Sequence, residues 1–229
     1  MQGIVIQGPT LYWEQVIDCY KDFPNVVWST WDDEPIENIE GIRQHIPVVQ
    51  SPKPDFPGYL NINLQCISTY EGAKYLESKG VTEVLKTRGD VNITNLFPLM
   101  ESLKGNQMSF LAICKEGVRT DISYELEYFH HSHDYPADQV IYGDINSILN
   151  TFNFQIEDYS PIPPESLIAY SYLSWRGKEF SLDFDYLKKI GITFYMKNCL
   201  EHNVKLHVVK PKYNFDLVTL HNSSEYYNF

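Results

Sequence analysis

The sequence is short of positive charge: 18 Lys and Arg stand against 30 Asp and Glu among 229 residues, a formal net charge of -12. Its cations are scattered, which excludes the dense phosphate neutralisation that nucleic-acid binding needs. A polybasic patch for an anionic membrane surface is missing too. Cysteine is sparse. Cys19, Cys66, Cys114 and Cys199 lie far apart without a Cys-x-x-Cys pair, which speaks against a zinc ribbon and predicts reduced thiols in a cytoplasmic protein. No run approaches the roughly 18 apolar residues of a membrane helix, and Met1-Gln2-Gly3-Ile4-Val5-Ile6 carries no charged leader. Asn92-Ile93-Thr94 and Asn222-Ser223-Ser224 match the N-glycosylation pattern; without a leader they are read as chance matches. Internal repeats and low-complexity blocks are also absent.

Apolar residues are plentiful, at 43% of the chain, with 17 Tyr and 12 Phe. A chain of this length can bury a sizeable core without disulfides. With no convincing linker, a single domain over 1–229 is predicted.

Hydrophobic periodicity gives the layout. Gly3 to Gln7 reads as a buried strand stopped by Gly8-Pro9. Thr10 is placed to cap a helix striped by Trp13, Val16, Ile17 and Tyr20. Strands follow at Asn25 to Ser29, Pro47 to Val49, Glu83 to Lys86 and Ser109 to Cys114. Between them lie helices over Ile36 to Gln44, Asn61 to Lys79 (ended by Gly80) and Leu96 to Lys104. This alternation predicts an α/β fold with a mostly parallel central sheet and flanking helices. After Lys115 the pattern weakens: Ile122 to Tyr128 and Val204 to Val209 read as strands. Ile145, Ile148, Leu149 and Phe152, then Ile168, Tyr172 and Trp175, read as helix stripes.

Ligands of such sheets bind beyond the carboxyl ends of the strands. Three polar turns are predicted there: Gln7-Gly8-Pro9-Thr10, Ser29-Thr30-Trp31-Asp32 and Thr87-Arg88-Gly89-Asp90. Asp90-Val91-Asn92 sets a carboxylate at a strand end with another oxygen two residues on, a form that suits a hard divalent cation, Mn²⁺ or Mg²⁺. In an extended segment Lys86, Arg88, Asp90 and Asn92 would share one face. The bland alternative is an ordinary Gly-Asp turn with Asn92 capping the next helix. His130-His131-Ser132-His133-Asp134 invites a zinc reading, but no second ligand group stands at a zinc spacing, and a solvated loop is the simpler account.

Taken in order, Ile4-Val5-Ile6-Gln7-Gly8-Pro9-Thr10, Phe23-Pro24-Asn25, Ser29-Thr30-Trp31-Asp32, Asn61-Ile62-Asn63-Leu64-Gln65 with Ser68 and Gly72, and Lys86-Thr87-Arg88-Gly89-Asp90 form a series of blocks. The series resembles the WavE-type lipopolysaccharide biosynthesis proteins, taken to be glycosyltransferases of the GT-A fold. The resemblance covers roughly residues 3 to 100 and resumes around Ala137 to Asp144 and at Pro164-Glu165. It implies a nucleotide-sugar donor, a divalent metal and a glycan acceptor. It also implies a nucleotide-sugar-binding half over 1–115 and an acceptor-side half over 116–229.

By that analogy Gln7, Gly8 and Thr10 face the base or ribose, with Thr30 and Gln65 as further candidates. Lys86 and Arg88 serve the phosphates, and Asp90 and Asn92 hold the metal. Asn92 departs from the pattern, since a two-aspartate motif would carry a second carboxylate there. A base for the acceptor hydroxyl is sought in the second half, at Asp138 or Glu165. Each has a structural alternative: Asp138 as a helix cap after Pro136-Ala137, and Glu165 as a first-turn helix acid. Gly8-Pro9 is equally compatible with a plain strand-to-helix turn. Two other functions fit the same features, a sugar nucleotidyltransferase and an inactive glycan-binding module. The nucleotidyltransferase would want an early Gly-rich loop with a basic residue, which Gln7-Gly8-Pro9-Thr10 is not.

Overall fold

The computed structural model of the chain describes residues 1–93, 96–105, 108–113, 135–157, 164–177, 208–209 and 217–219. Nine strands are described: β1 (Gln2–Gln7), β2 (Val26–Trp31), β3 (Val48–Ser51), β4 (Glu83–Arg88), β5 (Val91–Ile93), β6 (Met108–Ile113), β7 (Tyr135–Asp144), β8 (Val208–Val209) and β9 (Leu217–Thr219). The helices described are α1 (Trp13–Tyr20), α2 (Ile36–Arg43), α3 (Ile62–Ser78), α4 (Leu96–Leu103), α5 (Ile145–Phe152) and α6 (Pro164–Gly177).

Seven strands form one sheet in the order β3-β2-β1-β4-β7-β6-β8. β1 pairs parallel with β2 and β4, and β2 with β3, whereas β7 runs antiparallel to both β4 and β6. The sheet is therefore mostly parallel, with β7 reversed, and the chain is α/β as predicted. Strand order changes direction between β1 and β4: β2 and β3 lie on one side of β1, and β4 on the other. Such a switch point opens a crevice at the carboxyl ends of the strands.

Alternation along the strands sorts the core into two layers. Val5, Val27, Val84 and Ile141 face one cluster with Cys66, Ala73, Ile148, Leu167 and Ile168, which seats α3, α5 and α6. Ile4, Ile6, Val26, Trp28, Leu85 and Tyr142 face the other with Val16, Ile17, Tyr20, Leu99 and Leu103, on the side of α1 and α4. α3 buries Ile62, Gln65, Cys66, Thr69, Gly72, Ala73 and Leu76, an i, i+3/i+4, i+7 stripe lying on the sheet. Gly72 permits that approach: a Cβ there would meet Val5 Cγ1 at 2.7 Å and Ser29 Cβ at 3.0 Å.

Several local expectations change. Thr10 does not cap α1; Tyr12 occupies that place without a side-chain bond. The Thr10 hydroxyl instead donates to Glu34 Oε2 at 2.5 Å and accepts from Asn38 Nδ2, which takes the oxygen that a cap would turn to the helix amides. Asp138 caps no helix either, since it lies within β7, and Asn92 lies within β5 rather than at the start of α4. Residues 86 to 92 are not one extended face: β4 ends at Arg88 and β5 begins at Val91 after a turn. There Gly89 N–H donates to Gln7 O at 2.8 Å. The expected strand over 122–128 and the histidine cluster at 130–134 lie outside the described residues.

Candidate active site at the carboxyl edge of the sheet

The turns after β1 and β4 meet at the switch point. Gly8 adopts φ +108°, a conformation glycine tolerates, and its amide donates to Ser29 O at 3.0 Å. Its carbonyl accepts from Trp28 Nε1 at 3.1 Å. Gly89 is held still more tightly, because a Cβ would lie 2.6 Å from Pro9 O and 2.8 Å from Trp28 Cζ2. Glycine at 89 thus allows the two turns to touch.

Strand β7 adds a third edge by an irregular route. Its register with β6 runs from Phe110 against Ile141 to Ala112 against Pro136, so two residues of β6 span five of β7. Asp138 sits in this bulged segment, the kind of feature that re-aims a side chain beside a site. Its carboxylate Oδ2 accepts from Gln65 Nε2 of α3 at 2.6 Å. The Lys86 ammonium donates to Gln65 Oε1 at 3.2 Å and to the Asp138 peptide oxygen. Lys86 is 0% exposed and Asp138 is 7%. Burial strips water from the Lys86 ammonium and lowers its pKa to about 8, against the opposing attraction of Asp138.

Glu165 enters from the first turn of α6. Burial raises its carboxyl pKa above the ordinary value, and the nearby charge of Asp138 adds to the rise. Arg88 and Lys86 pull it back down.

Arg88 lies at the lip. It holds Asp90 in a fork, Nε to Oδ1 at 2.9 Å and a terminal nitrogen to Oδ2 at 2.6 Å. The Arg88 side chain is 27% exposed and that of Asp90 8%. Asn92 Oδ1 is buried without a hydrogen-bond partner among the described residues. No group of three His, Cys, Asp or Glu side chains able to hold a metal occurs among the described residues. A Mg²⁺ or Mn²⁺ at this turn would have one carboxylate and one unpartnered amide oxygen to draw on and would take its remaining ligands from phosphate and water. Arg88 then has to yield an Asp90 oxygen.

The sequence-predicted residues thus divide. Gln65, Lys86 and Asp138 are joined by hydrogen bonds, and the charges of Asp138, Arg88 and Lys86 act on Glu165. Gln7 accepts through Oε1 from Ser68 Oγ at 3.0 Å. Arg88, Asp90 and Asn92 lie along the turn after β4. Thr10 is fully buried and braced by Glu34 and by Asn38, whose Nδ2 donates to its hydroxyl at 3.1 Å. Thr30 Oγ1 is buried without a partner among the described residues. Sequence reasoning missed Glu34, Asn38 and the direction of Ser68. Gln65, Ser68 and Gly72 fall at i, i+3 and i+7, a spacing that puts Ser68 on the sheet-facing side of a helix.

No family model matches the chain, and no curated protein matches its sequence. Among solved structures it is similar to a cytidylyltransferase from Leptospira borgpetersenii serovar Hardjo-bovis, with 12% identity over 78% of this chain and 73% of the other, at a TM-score of 0.42. Another is a glucose-1-phosphate thymidylyltransferase from Bacillus anthracis, in complex with a sucrose, with 12% identity over 94% and 88% and a TM-score of 0.43. A third is a glycosyltransferase involved in glycosylation of the major capsid of PBCV-1, with 12% identity over 76% and 77% and a TM-score of 0.42. At this level of likeness none of them assigns a function. No helix among the described residues is long and apolar enough to cross a membrane.

Proposed function

We propose that the chain is a metal-assisted glycosyltransferase of the GT-A kind, moving a sugar from a nucleotide diphosphate to a glycan hydroxyl with inversion. One observation carries the reading. Asp138 of β7 is brought by hydrogen bonds onto Gln65 of α3 and Lys86 of β4, the strand whose end carries the Arg88–Asp90 fork, and its charge helps to raise the Glu165 carboxyl pKa. The blocks at Gln7 to Thr10, Ser29 to Asp32 and Lys86 to Asp90 fall at the carboxyl ends of β1, β2 and β4, and their resemblance to WavE-type proteins supports it.

In this mechanism Glu165 takes the proton of the acceptor hydroxyl. A carboxyl raised toward the working pH is a better base than an ordinary one. The acceptor oxygen bonds to the anomeric carbon as the bond from that carbon to the phosphate oxygen breaks. The electron pair leaves on the nucleoside diphosphate, whose charge the Arg88 guanidinium meets. Asp138 orients the reacting hydroxyl and keeps proton affinity high at Glu165. Gln7 and Gly8 flank the nucleoside, and Thr10 and Thr30 shape the turns around it. A divalent cation held by Asp90 and Asn92 would add Lewis-acid neutralisation of the diphosphate.

Thermal-shift titration with UDP-, GDP- and dTDP-sugars, with and without Mn²⁺, tests the reading. At least one donor is expected to stabilise the protein, more strongly with Mn²⁺, and Asp90→Ala is expected to remove the Mn²⁺-dependent part. No stabilisation and no turnover by any donor would sink the assignment.

A further inference from the structure

The resemblance hands Lys86 and Gln65 to the donor. Both instead turn inward, which leaves a buried cation with no ligand to meet. Lys86 is fully enclosed, and its two named acceptors, the Gln65 amide oxygen and the Asp138 peptide oxygen, are neutral. Burying an ammonium on neutral acceptors is costly, so its retention calls for a compensating role. Gln65 converts that anchor into orientation. Its amide oxygen accepts from Lys86, which leaves Nε2 pointed at Asp138 Oδ2 at 2.6 Å. Lys86 thereby fixes which way the Gln65 amide faces, because the flipped amide would set its NH₂ against the ammonium. It also pins the Asp138 backbone where β7 departs from regular register against β6. A bulge left unbraced would let the carboxylate swing.

We infer that Lys86 and Gln65 are positioning residues for Asp138: Lys86 clamps the β7 bulge and sets the Gln65 amide, and Gln65 aims the Asp138 carboxylate at the reacting hydroxyl. The inference rests on the proposed transfer reaction for its catalytic meaning, though the clamp itself is a statement about structure. Neither residue touches donor or acceptor. Loss of either lowers the rate of the chemical step and leaves donor affinity alone.

Lys86→Met and Gln65→Met, both close in shape to the residues replaced, test this in two ways. The first is steady-state kinetics with the donor that the wild type turns over. Both variants are expected to lose about 10²-fold in kcat, the cost of misplacing a reacting group by about 1 Å, with the donor KM within about threefold of wild type. A raised donor KM with unchanged kcat would return Lys86 and Gln65 to donor binding and overturn the inference. The second is the crystal structure of each variant, which needs no activity. In Lys86→Met the Asp138 carboxylate is expected to leave Gln65, and finding it still hydrogen-bonded there refutes the clamp. A wild type inert toward every donor removes the proposed reaction, and the crystal structures then decide the clamp alone. Should Lys86→Met fail to fold, Gln65→Met is judged by the same kcat loss and by displacement of Asp138.

Discussion

Two carboxylates at the mouth of the sheet are anchored in opposite ways. Asp90 is gripped by Arg88, two positions before it and partly open to solvent. Asp138 is held by Gln65 and Lys86, 73 and 52 positions away and enclosed by the fold. The two carboxylates are about equally buried, but the first arm is local and its guanidinium part-exposed, which suits a group that releases an oxygen when an anionic ligand brings a cation. The second is long-range, buried and fixed, which suits a group that must be in place before a substrate arrives. Changes in the Arg88 arm are therefore expected to act on donor affinity, and changes around Asp138 on turnover.

The largest effect belongs to the buried side. Glu165→Gln removes the base and is expected to cut kcat by about 10²–10⁴-fold, read in a donor-turnover assay; a loss under threefold would move the base elsewhere. Next comes Arg88→Ala, which withdraws a charged donor from the diphosphate. Donor Kd by calorimetry should weaken about 10- to 100-fold, the worth of a hydrogen bond to a charged group. If Kd held, the contrast between the two arms would break.

Gly89→Ala probes the point where the arms' supporting turns meet. Its Cβ would press on Pro9 O and on the Trp28 ring, so a cost of about 1–3 kcal/mol is expected by denaturant unfolding. An unchanged midpoint would show that the turns yield.

The pH dependence carries a sign. The Glu165 pKa is raised in the folded state, so its contribution to stability is present at low pH. It is lost as pH climbs above 4.5, the ordinary value, and through the raised midpoint. Lys86, lowered to about 8, works oppositely, and stability recovers as pH rises from there toward 10.5. Glu165→Gln should flatten the first limb of a Tm–pH curve and leave the second. The smallest effect is expected from Tyr20→Phe, which removes the phenol's 2.7 Å hydrogen bond to Val91 O. About 1 kcal/mol is expected, with no change in turnover.

The same contrast explains what was legible. Continuous apolar runs mark β1 and β2, which are buried on both faces, and period-3.6 stripes mark α1 and α5, each of which buries one face. The turn Arg88-Gly89-Asp90 is visible because its partners are neighbours in sequence. That Asp138 meets Lys86 is not visible, since it depends on β7 running against β4 and on a bulge that no local pattern announces. Lys86 reads as a phosphate ligand by residue type. Only its enclosure beside Gln65 shows it turned inward. Thr10 reads as a cap because the distant Glu34 carboxylate that claims it cannot be seen from residues 10 to 13.

The most direct test compares donor turnover by the wild type and by Glu165→Gln across UDP-, GDP- and dTDP-sugars with Mn²⁺. The account predicts turnover of at least one donor by the wild type and a loss of about 100-fold or more in the variant. Pyrophosphate release from a nucleoside triphosphate and a sugar phosphate, with every nucleotide sugar left intact, would contradict it.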